Sequence, residues 1–141
     1  MSSEFTDSVV AEFRANDGHV GGDLADTPII LIHHLGARTA TERVTPLAYT
    51  SQADGRLVIA ASNGGSPTHP AWYHNLKAHP TIEVERGAET FTALAEEVIG
   101  AAHAELWSSL ITTSPTLEDF QAKTARQIPL FALRRVRTRR D

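Results

Sequence analysis

Ala60–Leu76, AASNGGSPTHPAWYHNL, follows directly on the apolar run Leu57-Val58-Ile59. A short strand therefore runs into Ser62-Asn63-Gly64-Gly65, and a segment braced by Pro67 and Pro70 leads to Trp72, Tyr73, His74 and Asn75. Two adjacent glycines allow positive φ and let another molecule come close to the main chain. The two prolines stiffen the approach to Trp72. Trp72 offers a large flat surface with one N–H donor. Strand, glycine loop and aromatic plate together suit a flat ligand with an anionic tail.

The flanking chain reads mostly as strands. Pro28–His34 (PIILIHH) is rich in β-branched residues and is predicted to be a buried strand. Arg43–Ser51 is predicted as a second strand, placed at an edge or bulge because Pro46 has no N–H for the ladder. Asp54-Gly55 turns the chain into a third strand, Arg56–Ala61. Thr81–Glu85, Glu89–Val98 and Ile128–Val136 bring the number to six. Helices are predicted from a cap at Thr6 or Asp7 to Asn16, where Asp17-Gly18 stops it, and over Ala71–Ala78, Ala101–Thr113 and Glu118–Ala125. Residues 1–4 read as frayed, and Gly21-Gly22 as a further turn. Connections of hairpin length imply antiparallel pairing, and the lack of strand–helix–strand alternation excludes a doubly wound sheet. The expected architecture is α+β, mainly β: a six-stranded, mostly antiparallel barrel with helices packed outside.

At 141 residues the chain, 1–141, reads as a single domain. A domain of this size buries about 68% of its unfolded surface. There is no cysteine, hence no disulfide, thiolate metal site or cysteine nucleophile. That suits a reducing, cytoplasmic setting. No apolar run approaches the roughly 20 residues of a membrane helix, and MSSEFTDSVV lacks the basic-then-apolar order of a signal peptide. The net charge of −4 divides unevenly: Arg134–Asp141 (RRVRTRRD) carries +4 and the remaining 133 residues −8. A basic end of this kind suits weak, peripheral contact with an anionic membrane surface. Nucleic acid is not an expected partner, because the tail has no interleaved aromatics and the body is acidic.

Seven histidines call for a metal test. His69, His74 and His79 fall at intervals of five, which do not share a helix face. His33 and His34 are adjacent on a strand and point to opposite sides. No metal site is expected. GxSxG, Walker and GxGxxG patterns are also missing. What remains is a set suited to a flat anionic cofactor. Arg38 and Arg43 lie in or beside the loop after the first strand, and arginine's fork matches phosphate. Ser62, Asn63, Gly64 and Gly65 supply hydroxyl, amide and main-chain groups for a ring edge.

Ser62–Leu76 (SNGGSPTHPAWYHNL) resembles the signature of the deazaflavin-dependent nitroreductase family, small actinobacterial-type oxidoreductases that use coenzyme F420. Glu12–Gly22, Pro28–Leu47 and Phe120–Leu133 are similar to further blocks of that family, in the same order, over roughly residues 9–136. The resemblance implies an FMN-binding-split-barrel-like fold with F420 in a groove at the barrel. It implies hydride transfer from the reduced deazaflavin to a small organic acceptor: an activated C=C bond, a quinone or a nitroaromatic. The protein would act as a monomer or homodimer. A flavin (FMN) or haem-type binder of the same fold, or a non-catalytic ligand-binding protein, is the alternative.

By position, the resemblance assigns Arg38 and Arg43 to the phosphate side of the cofactor and counts Thr39, Pro46 and Ala61 among the cofactor-binding residues. Ser62, Asn63, Gly64 and Gly65 fall beside the deazaflavin, with Pro70, Trp72 and Asn75 closing the pocket. Tyr49, Leu117 and Phe120 fall on the substrate side, and the phenols of Tyr49 and Tyr73 are proton-donor candidates. One block departs from the family. Its loop reads Gly-Arg-Lys/Arg-Ser-Gly, where this chain has Gly36-Ala37-Arg38-Thr39-Ala40. One cation and one glycine are gone, and a protonated His33 or His34 would replace the charge.

Overall fold

The computed structural model describes residues 4–21 and 27–136. In chain order these form α1 (Glu4–Ala15), β1 (Ile29–Leu35), β2 (Glu42–Ala48), β3 (Thr50–Ser51), β4 (Leu57–Ala60), a 3-10 turn (Asn63–Gly65), α2 (Ala71–Ala78), β5 (Thr81–Arg86), β6 (Glu89–Val98), α3 (Gly100–Thr113), α4 (Pro115–Ala122) and β7 (Leu130–Arg135). The strands make one sheet in the order β2-β1-β5-β6-β7-β4-β3, with every pairing antiparallel.

The described residues form seven strands rather than six. The predicted strand Arg43–Ser51 breaks at Tyr49, whose N–H bonds to the carbonyl of Pro28 at 3.2 Å. The two pieces, β2 and β3, occupy opposite ends of the sheet although one residue separates them in sequence. The sheet must therefore curl until its ends meet, which makes it a split barrel. Pro46 sits in the end strand β2, opposite Leu31, where a missing donor costs least.

The apolar run of β1 is buried on both faces. Ile30 and Ile32 enter the barrel core with Ile59, Leu76, Val84 and Phe131. Ile29 and Leu31 turn outward against Val9 and Phe13 of α1. On the far side, Val58 and Leu130 carry Leu110 of α3, with Leu117 of α4 beside them. Truncating a residue such as Ile32, which is fully buried, costs about 2–5 kcal/mol.

Other boundaries shift for local reasons. α1 already contains Thr6 and Asp7, so neither is its cap, and Glu4 is helical rather than frayed. It stops as expected, with Asp17 and Gly18 at positive φ and the Gly18 amide on the Phe13 carbonyl. Pro115 opens α4 three residues earlier than expected, as proline does in a first helical turn. The first two arginines of the basic end belong to β7: Arg134 pairs with Glu96, and Arg135 with Glu89 while covering the ring of Phe91. The membrane-surface expectation thus loses two of its five arginines to internal pairs. Residues 1–3, Gly22 and the tail at 137–141 lie outside the described residues. Among the described residues no helix is long and apolar enough to cross a membrane.

Candidate active site

A cleft of about 570 Å³ opens where the two ends of the sheet meet. Its floor is Leu47, Tyr49, Val58 and Ala60, Ser62 enters from the glycine loop, and Leu117 and Phe120 close it from α4. Tyr49, Leu117 and Phe120 were the substrate-side expectations, and the fold brings them together with Ser62. Among the described residues no charged side chain lines the cleft; Thr27, Thr113, Ser114 and Thr116 add hydroxyls to an otherwise apolar wall. Tyr49 also lines a second, more polar cleft, where its oxygen accepts a hydrogen bond from Nε of Arg86 at 3.0 Å.

One face of β2 leads away from this cleft. Directly paired residues share a face, so Arg43, Thr45 and Leu47 lie on the same side as their partners His34, Ile32 and Ile30. At about 3.3 Å per residue, Arg43 and Tyr49 stand on the order of 20 Å apart along the strand. At the far end Gly36–Thr41 folds into a closed loop, with the Gly36 amide on the Thr41 carbonyl (2.9 Å) and the Ala40 amide on the Gly36 carbonyl (2.8 Å). Ala40 holds φ +57°, so the loop keeps a left-handed residue without its glycine. Arg14, Arg56, Arg134 and Arg135 are all held by carboxylates. Arg38 and Arg43 have no such partner among the described residues. Two free guanidinium groups beside a tight loop fit a phosphate.

His34 does not supply the missing charge. His34 is 3% exposed; burial, then the charges of Arg43 and His33, push its pKa down to about 4. It is therefore a neutral ring. Its Nδ1 accepts from Nδ2 of Asn75 at 2.9 Å, and its Nε2–H donates to Oγ1 of Thr45 at 2.8 Å. Asn75 in turn accepts the amide of Ala37 at 2.8 Å. His33 turns outward, between Glu85 and Glu42, with Arg14 on the other side of Glu85. Arg14 and His33 hold the Glu85 carboxyl below its ordinary pKa. Among the described residues no three metal-ligating side chains gather.

Several expected contacts take supporting places. Trp72 is 6% exposed and packs in the core 6.0 Å from Phe131, so it is a prop under the loop rather than an open plate. Asn75 is buried in the relay just described, and Ala61 is fully buried. Pro70 caps α2. Pro46 takes the side of β2 opposite to Arg43, because strand side chains alternate. Thr39 bonds the amide of Thr41 inside its own loop. Tyr73 stacks on His69 and edges onto Phe131, away from the cleft.

The glycine loop is built for close approach. Asn63, Gly64 and Gly65 all have positive φ. A Cβ on Gly64 would meet nothing within 4 Å, which leaves a backbone face open to a ligand. A Cβ on Gly65 would lie 2.8 Å from the Phe120 carbonyl oxygen, so this glycine lets α4 down onto the loop. Arg126, which no motif marks, sends its guanidinium to the carbonyls of Ala61, Ser62 and Ser66. Its only sequence signal is a cation four positions before a buried strand.

A split barrel with an open glycine loop, a cleft lined by no charged side chain among the described residues, and Arg38 and Arg43 free of carboxylates in the loop before an edge strand and at its start suits one class: oxidoreductases that hold a long, phosphate-bearing planar cofactor. The chain belongs to the F420H(2)-dependent quinone reductase family, whose model matches residues 6–135. It is 35% identical over 129 residues to an F420H(2)-dependent quinone reductase of Mycobacterium tuberculosis (strain ATCC 25618 / H37Rv), covering 89% of this chain and 86% of the relative. A second family protein of that organism is 26% identical over 107 residues, covering 76% and 89%. Among solved structures, an F420-H2 dependent reductase superposes with a TM-score of 0.68 at 34% identity, covering 80% of this chain and 99% of the other. A structure described as a domain-swapped dimer gives 0.70 at 32%, covering 90% and 92%. The haem protein HutZ of Vibrio cholerae, at 18% identity and a TM-score of 0.54 over 92% of this chain and 89% of the other, shares the fold alone. Family membership makes the chain an oxidoreductase with coenzyme F420 as its cofactor.

Proposed function

We propose that the chain reduces a neutral, planar quinone-type acceptor seated between Tyr49, Ser62, Leu117 and Phe120. F420H2 would lie along the β2 face, from the glycine loop to Arg38 and Arg43. The observation that carries this reading is the distribution of charge. Among the described residues the cleft has no charged side chain, whereas Arg43 stands at the other end of the same strand face and Arg38 in the loop just before it, neither with a carboxylate partner. When bound, the deazaflavin supplies the hydride.

The chain's own residues bind, orient and exclude water. Arg38 and Arg43 hold the phosphate by charge-assisted bonds. The open backbone at Gly64 lets the ring come close. Ser62 and the Thr113–Thr116 hydroxyls orient the acceptor's carbonyl oxygens, and Leu117 and Phe120 shut out water. Arg86 occupies a lone pair of the Tyr49 oxygen, which leaves that hydroxyl's proton free to donate.

Turnover of F420H2 with paired acceptors tests this. A neutral naphthoquinone should show kcat/KM at least about tenfold above its sulfonated analogue, a difference of about 1.4 kcal/mol. Preference for the sulfonated acceptor overturns the reading. So does the absence of saturable F420 binding at tens of micromolar, an affinity of roughly −6 kcal/mol. The continuous sheet supports reading 1–141 as a single domain. The domain-swapped relative supports a homodimer, which sedimentation at micromolar concentration would reveal.

A further inference from the structure

Arg126 has no carboxylate partner among the described residues. Its guanidinium instead spans the glycine loop. Nε donates to the Ser66 carbonyl at 2.9 Å, one terminal nitrogen to the Ala61 carbonyl at 3.1 Å, and the other to the Ser62 carbonyl at 2.8 Å. The nitrogen on Ala61 also donates to Nδ1 of His69 at 2.9 Å. Burial, followed by the charge of Arg126, lowers the pKa of His69, which keeps that lone pair available. His69 is stacked on Tyr73 at 4.1 Å, so the far side of the clamp is anchored to α2.

The arginine is itself held in place. Nε2 of Gln121 donates to the Arg126 carbonyl at 2.7 Å, and Oε1 of the same side chain accepts the Ile128 amide at 3.0 Å. Gln121 thus braces the short segment that presents Arg126, and that segment leads straight into β7. Rigid support of this kind is what holds a site within a fraction of an ångström of its working geometry.

We propose that Arg126 is the positioning residue of the cofactor's ring end. It draws three loop carbonyls inward and so fixes the path of Ser62–Gly65, the segment that faces the bound ring. This rests on the F420 reading above. A lysine ammonium is a compact point donor and cannot reproduce the planar fork that reaches carbonyls 61, 62 and 66 together. The requirement is therefore for the fork and not for the charge.

Arg126→Lys and Arg126→Met test this by F420 fluorescence titration well below the melting temperature, and by hydrogen exchange of the cofactor-free protein. We expect both variants to bind F420 at least about tenfold more weakly than wild type. Amides 61–66 should exchange about tenfold faster, with β1 and β5 unchanged. Binding within about twofold of wild type in the lysine variant, or unchanged exchange of the loop, overturns the proposal. If the methionine variant does not fold, the lysine variant carries the test alone. Failure of the F420 reading looks different: wild type itself would not bind, while the loop of the variants would still exchange faster.

Discussion

The side-chain nitrogen of Asn75 donates to Nδ1 of His34 at 2.9 Å, so a helix residue fixes the tautomer of a strand residue 41 positions earlier in the chain. Because the Asn75 oxygen accepts the Ala37 amide, the same side chain pins the start of the arginine-bearing loop. Asn75→Leu removes both bonds and leaves a buried ring nitrogen and a part-buried amide without partners. Each orphaned group costs about 1–3 kcal/mol. Urea unfolding should show that loss, and F420 affinity should fall with it; an unchanged midpoint would contradict the relay.

His34 makes stability depend on pH. Its folded pKa, pushed down to about 4, lies below the ordinary 6.5, so the unfolded chain binds the extra proton first. The contribution is complete above pH 6.5 and is lost as pH falls toward 4, at about 1.4 kcal/mol per unit. Between pH 6.5 and 5, wild type should lose about 1.6 kcal/mol more than His34→Gln. Equal losses in the two proteins, measured by chemical denaturation, would remove His34 as the cause.

Ala40 sits at φ +57°, a conformation that costs a non-glycine residue about 1 kcal/mol or more. Ala40→Gly should therefore stabilise the fold by about 1 kcal/mol, raising the melting temperature by about 3 °C. The loop's hydrogen bonds already define its shape, so F420 affinity should stay the same. A lower melting temperature would refute this.

Among the described residues Arg38 and Arg43 have no acidic partner, so their removal takes nothing from the ion pairs seen there. Each alanine substitution should weaken F420 binding by about 1.5–3 kcal/mol. The effect should shrink as salt is raised. Arg56→Ala, which breaks only a local exposed pair with Asp54, is the control expected to bind normally. If Arg43→Ala binds as wild type does, the phosphate does not lie at that end of β2.

Much of the fold was legible because its signals are local. The β-branched run of β1, the Asp54-Gly55 turn and the residues of α2 and β6 each announce themselves within a few positions. Tyr49 was not legible as a joint, because its break depends on a bond to Pro28, and α4 starts at Pro115, a residue whose place in a first helical turn is not told apart from a helix break by its type. The site divided in the same way. Arg43, Ser62, Gly64 and Phe120 could be named from motif positions. The reassignment of Trp72 and Asn75 to support, and the clamp at Arg126, depend on contacts across 60 or more residues or on which helix face turns inward. Residue type carries no such information.

Tyr49 is a joint of one residue between strands at opposite ends of the sheet. That joint acts as a gauge: it sets how far apart β2 and β4 stand, and hence the taper of the gap between them. Substituting the residues that face the gap changes its lining but not its width. Only lengthening or shortening the chain at this point would alter what thickness of molecule can slide in, so the range of acceptors is bounded first by backbone length and only then by side-chain chemistry.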